Sequence, residues 1–254
     1  MTEPFRARIE RNLRTIGALS YYIGILPMLR IPTLLPFVFS TPFTILFILF
    51  VMGKGEAIIY GIAGAITMTV SQQGLFLGAD LTSLRIEHKF QSYVVASPVS
   101  PLTYMFSVAM SELAFAAPAL LILVAIIPYF TPQLTSLGLL QIIAVILLTW
   151  ITTSSIGFFL STYVLNTRTA FITVAFISII LSVLPPVFYP LQVVPDRLRW
   201  LAEIVPTTHS SVLIQSAFGL PSTPAPTTSS WLALPVFAIV FLSFALFKAK
   251  WMET

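Results

Sequence analysis

The chain has no cysteine, only two histidines, and charged side chains at only 9% of its 254 positions. The missing cysteine removes disulfides, thiolate nucleophiles and zinc-finger sites together, and says little about compartment. Soluble domains carry roughly 25% charged residues, so so low a charge content excludes one. No polar stretch between the apolar runs approaches the ~50 residues that a soluble catalytic domain needs. Phosphate-binding GxxxxGK[ST] is absent; the one Gly-Lys pair, Gly53-Lys54, is followed by Gly55. HExxH and GxSxG are absent too, and His88 and His209 fall in segments expected on opposite sides of a membrane. Metal or triad chemistry has almost nothing to be built from. The expectation is a chain that is no enzyme by itself and binds no metal or cofactor.

What fills the sequence is apolar: 57% hydrophobic residues and a mean hydropathy of +0.96. An all-α integral membrane protein follows, read as a single transmembrane domain over residues 1–254. About 20 apolar residues at 1.5 Å each match a hydrocarbon core of about 30 Å. Six runs meet that length: 33–52, 57–78, 102–127, 138–163, 169–190 and 231–249. Ahead of them, Phe5, Ile9, Leu13 and Ile16 recur at helical spacing, with Arg6, Arg8, Glu10, Arg11 and Arg14 on the other side. Gly17 offers a stop. Residues 1–30 therefore read as an amphipathic helix lying in the membrane surface, followed over 18–29 by an apolar piece too short to cross. A targeting or solvated helix is the other reading of the basic stretch. Its arginines reach residue 14 with no small-residue cleavage site after a short apolar core, so no cleavable signal is expected.

Basic residues near span ends set orientation. With the N-terminus in the cytoplasm, Arg6, Arg8, Arg11, Arg14, Arg30, Arg85, Lys89, Arg168, Lys248 and Lys250 lie inside and Lys54, Arg197 and Arg199 outside. Ten against three favours N-in and C-in with an even number of spans. The net charge of +4 is thus explained by topology rather than by nucleic acid.

Two stretches depart from plain spanning helix. Leu181–His209 starts as a span, breaks at Pro185-Pro186, stays apolar, and after Pro195 begins a short helix. That helix has Asp196, Arg197 and Arg199 on one side and Leu198, Trp200 and Leu201 on the other, and Pro206 brings a second stop. Non-helical backbone at membrane depth needs protein or a water-filled cavity around it. A broken segment over 186–219 therefore points to a protein with an internal path. The second stretch, Asp80–Ser92, holds the densest cluster of charges and leads through Tyr93 and Val94 to Ser97-Pro98-Val99-Ser100. Glu87 and Arg85 with an apolar anchor of Phe90, Tyr93 and Val94 suit a small docking helix over 80–92; a solvated loop is the alternative.

Glu112 is the one acidic residue expected well inside a span, where an ion costs about 2.5–3.5 kcal/mol. An interhelix hydrogen bond and a place in a substrate path are both open to it, and Pro118 is expected to kink the same helix. Gly74–Gly78 and Gly157–Ser161 permit close helix approach. Thr152, Thr153, Ser154 and Ser155 either line a cavity or bond back to their own helix. Residues 221–230 read as a Pro/Ser/Thr linker.

The chain resembles permeases of type-2 ABC transporters. In these, the end of the fifth span and the outer helices read as F-F/Y-P-L, a proline-led helix with W-L, then N-P-L-T-H/Y. Here Phe188-Tyr189-Pro190-Leu191, Pro195, Trp200-Leu201 and Pro206-Thr207-Thr208-His209 match, with Val205 in place of the Asn. The cytoplasmic R-E-x-G-T-L-E-x-L-L-x-S/T-P-V-S pattern is matched by Glu87 and Ser97-Pro98-Val99-Ser100, with Lys89 and Ser92 replacing its Gly and second Glu. The resemblance implies an exporter permease: a coupling helix (Arg85, Glu87, His88, Lys89, Phe90) against a separate ATPase subunit that carries the ATP and Mg²⁺. It also implies an extracellular re-entrant gate (Pro185, Pro186, Tyr189, Pro190, Pro195, Trp200, Pro206), a second permease copy or homologue, and a drug, lipid or glycan as substrate in the cell membrane. A proton-coupled secondary transporter is the competing reading, and it would need intramembrane carboxylates beyond Glu112.

Overall fold

The computed structural model describes residues 5–31, 35–52, 55–220 and 224–248; Lys54 and Lys250 of the charge count lie outside them. All regular structure among the described residues is helical. In chain order the helices are α1 (Phe5–Ser20), a π-helical turn (Tyr21–Ile25), α2 (Leu26–Arg30), α3 (Leu35–Met52), α4 (Glu56–Ile86), α5 (Phe90–Val95) and α6 (Pro101–Phe130). There follow α7 (Ser136–Ser161), α8 (Thr167–Val183), a 3-10 turn (Leu191–Val193), α9 (Asp196–Glu203), α10 (Pro206–Ala217) and α11 (Pro224–Lys248). Helix starts follow local chemistry: the side chains of Ser100, Thr135 and Asn166 accept from the backbone N–H of Thr103, Gly138 and Thr169 at 3.2, 3.1 and 2.7 Å.

Among the described residues three helices are long and apolar enough to cross a membrane: Leu102–Phe130, Ser136–Ser161 and Thr227–Phe247. Helix α4 is longer still, about 46 Å for its 31 residues, but carries Gln72, Gln73 and several hydroxyls. It is the buried centre of the bundle, packed on α3, α6, α7, α8 and α10. Its threonines keep their hydroxyls off the core by bonding back: Thr67 to the Ala63 carbonyl, Thr69 to Ala65 and Thr82 to Gly78, at 2.7–3.0 Å.

The tightest seam joins α4 to α7 through the small residues. A Cβ on Gly157 would lie 2.7 Å from the Gly74 carbonyl oxygen, and one on Gly74 would lie 3.0 Å from the Ser154 amide nitrogen. The two short motifs therefore pack against each other within one chain.

Four expected boundaries shift. Gly17 ends nothing: the helix runs on to Ser20 and through the π-turn, because this stretch packs on α6. The Ser20 hydroxyl donates to the Ser107 carbonyl at 2.9 Å, and a Cβ on Gly24 would meet that of Ser111 at 2.8 Å. The second run extends eight residues further, to Ile86, since residues 80–86 continue α4's packing. The fifth stops at Val183, where two prolines deny it further helix. The last begins as early as Pro224, so part of the expected linker is helical.

Candidate functional site

At the end of α4 the chain makes an elbow. Glu87, His88 and Lys89 are exposed, and Lys89 takes a left-handed conformation (φ 49°) that turns the backbone into α5. The docking helix expected over 80–92 does not form as one unit: Asp80–Ile86 are the last turns of α4, and the separate helix is Phe90–Val95. Arg85 also differs from expectation. Its guanidinium donates to the carbonyls of Ser161 and Val164 at 3.0 and 2.9 Å, bracing α4 against the end of α7 and the turn into α8. A cation suits the negative end of α7. Phe90 turns inward, its ring 6.2 Å from that of Tyr104, and Val94 is buried, whereas Tyr93 is 71% exposed. The outward face of the elbow is therefore Glu87, His88, Lys89 and Tyr93.

Behind the elbow, Asp80 on α4 and Glu112 on α6 hydrogen-bond side chain to side chain. Glu112 is only 4% exposed. It is thus not the solitary carboxyl expected; its partner was hidden because Asp80 was assigned to the polar loop.

At the other end of the bundle, backbone from Leu184 to Pro190 is non-helical, and α10 satisfies it. The Thr207 hydroxyl donates to the Leu181 carbonyl, Ser211 to Pro186 at 2.9 Å, and the Gln215 amide to Val187 and Tyr189 at 3.5 Å. Carbonyls freed by the double proline thus find donors inside the protein, as apolar surroundings demand. That is why α10 buries every residue from Pro206 to Gln215 despite its Ser, Thr, His and Gln content. Pro185 and Pro186 are buried with it, and Gly64 of α4 leaves room for Phe188, whose Cε1 would otherwise lie 2.7 Å from a Cβ. His209 lies in the same layer: its Nε2–H donates to the Glu203 carbonyl at 2.8 Å, leaving Nδ1 to accept from the Ser230 hydroxyl at 2.9 Å. Burial holds this imidazole below its ordinary value of 6.5, outweighing the carbonyl and the charge of Glu203.

Helix α9 lies outside this layer. Asp196 and Arg199 pair at 2.9 Å in the open, and Leu198, Trp200, Leu201 and Ile204 are exposed. With Leu184, Pro185, Tyr189 and Pro195, α9 borders a cavity of about 390 Å³. The sequence missed the part played by α10; its signal was the run of hydroxyl and amide side chains directly after a proline break.

A long buried helix ending in an exposed elbow, and a proline-broken helix stitched to a buried polar one, sit in an apolar helical bundle. They define an all-helical membrane protein. The chain belongs to the ABC-2 type transporter family, whose family model matches residues 19–219. No curated protein matches it.

Proposed function

We propose that this chain is the permease subunit of an ABC exporter, working beside a second copy or homologue and driven by a separate ATPase subunit. The family match carries the reading, since it spans the elbow and the broken helix together. In this account α3, α4 and α8 supply the remaining three of six spans, both termini are cytoplasmic, and Pro185 to residue 219 forms the re-entrant external gate. The elbow's Glu87, His88, Lys89 and Tyr93 dock on the ATPase subunit, which binds the ATP and Mg²⁺. A push on α5 reaches the bundle through two rigid links, α4 itself and the Arg85 brace to the turn between α7 and α8. Movement of α4 bears on Phe188, and so on the gate, through the Gly64 contact. An apolar path of this kind suits an amphipathic drug, a lipid or a glycan.

The test is a charge reversal at the elbow, Glu87→Lys with Lys89→Glu, in chain purified from its native membranes. ATP hydrolysis that co-purifies with the wild-type chain is expected to be lost while the chain stays folded. Unchanged hydrolysis and transport overturn the docking assignment.

One observation favours a second reading, proton-coupled transport: the Asp80–Glu112 pair gives the bundle two carboxyls in contact. Transport by purified chain driven by a proton gradient, without ATP and lost in Glu112→Gln, would establish it in place of the first.

A further inference from the structure

Four consecutive hydroxyl residues on α7 do not behave alike. Thr152, Thr153 and Ser155 bond back to the carbonyls of Leu148, Thr149 and Ile151 at 2.7–2.8 Å. Ser154 is 6% exposed and its hydroxyl has no partner among the described residues. A buried hydroxyl left unmade costs about 1–3 kcal/mol, so a site for one needs an explanation. Ser154 stands on the wall of a cleft of about 470 Å³, apart from both the elbow and the broken helix. Such a volume lies within the ~300–1,000 Å³ common to small-molecule sites. Thr103, Phe106, Trp150 and Phe158 form its walls, Leu242 of α11 closes one side, and Asn12 and Ile16 of α1 close another. Phe106 and Ile151 are 48% and 41% exposed, so the cleft is open on the outer face of this chain's bundle.

Its position fits one kind of occupant. The cleft runs inward from the first turn of α6, at Leu102 and Thr103, past Ser154 to Trp150, seven and eleven residues before the end of α7. On the proposed topology that puts Ser154 in the cytoplasmic half of the bilayer, about 10 Å deep at 1.5 Å per residue. Helix α1, whose sequence carries four arginines against one glutamate, borders it through Asn12 and Ile16. We propose that the cleft binds an anionic glycerophospholipid of the cytoplasmic leaflet. One acyl chain lies along Phe106, Trp150 and Phe158, an ester carbonyl accepts from Ser154 after a turn of its side chain, and the phosphate stays at the basic helix. The lipid holds α1 against the bundle and is not the transported substrate. The inference uses the proposed topology only to choose the leaflet.

Trp150 is 5% exposed and stands on the cleft wall, which makes it a reporter. With Trp200, Trp231 and Trp251 changed to Phe, purified chain in detergent is titrated with phosphatidylglycerol brominated on its acyl chains. Saturable quenching of Trp150 is expected, with phosphatidylcholine at least tenfold weaker. Ser154→Ala should weaken binding about fivefold, the worth of one neutral hydrogen bond. Ser154→Leu, which crowds the cleft wall one turn from Trp150, should abolish saturable quenching while the melting temperature and co-purifying ATP hydrolysis remain measurable in the same sample. Equal quenching by both headgroups, quenching that does not saturate, or quenching that survives Ser154→Leu overturns the proposal. None of these outcomes depends on whether the elbow docks an ATPase.

Discussion

Gly157 of α7 and Gly74 of α4 meet backbone to backbone: a Cβ on Gly157 would sit 2.7 Å from the Gly74 carbonyl oxygen and 2.8 Å from that of Leu75. Main chain cannot give way there as a side-chain tip would. Gly157→Ala is expected to cost about 1–3 kcal/mol through forced separation of the helices, read as a lower melting temperature in detergent. Gly17→Ala, within α1 and with nothing inside 4 Å, is the control and should not lower melting, and through better helix propensity should raise it slightly.

Arg85 supplies the second joint of α4. Losing its two charge-assisted bonds in Arg85→Ala should destabilise the chain by about 1.5–3 kcal/mol. Arg85→Lys should recover only part: both bonds come from the one nitrogen Nη2, whose two donors an ammonium can replace, but the ammonium is more strongly hydrated and costs more to bury. Thermal melts of the three proteins check this. Equal stability of all three would reduce the brace to a surface contact.

The Asp80–Glu112 pair makes a separate forecast. Glu112→Gln keeps a hydrogen-bonding group and should leave fold and ATP-driven transport within about twofold. Asp80→Ala and Glu112→Ala should be strongly non-additive, by about 0.5–3 kcal/mol, in a double-mutant cycle of stability.

His209 gives the molecule a pH dependence with a definite sign. Burial holds its folded-state value below 6.5, so between that lowered value and 6.5 the unfolded chain binds the extra proton. The contribution of His209 to stability should be level above pH 6.5 and should fall as pH drops below it. His209→Gln should flatten that decline, measured by melting temperature across pH 5 to 8.

Much of the architecture was legible because hydropathy periods and prolines act locally. The double proline stops α8 within two residues of where it stands, and the third and fourth runs open within two residues of their expected starts, at Pro101 and Ser136. What was not legible is non-local. Nothing in the residues around Arg85 says that two carbonyls 76 and 79 positions away will take its guanidinium. Asp80 looked like loop because polarity marks a loop only where no partner helix supplies an acceptor. The burial of α10 was equally hidden: its polar side chains are buried because the broken segment beside it offers carbonyls. The small-residue motifs, weak singly, gained meaning only when α4 and α7 put them together.

The central claim is that the elbow after α4 faces the cytosol and is covered there by an ATP-hydrolysing subunit. Because the chain has no cysteine, a single His88→Cys provides the reporter without further change. A membrane-impermeant thiol reagent should leave it unlabelled in intact cells, label it in inverted vesicles stripped of peripheral subunits, and label it more slowly when those subunits are present. Labelling from the outside of intact cells would contradict the account.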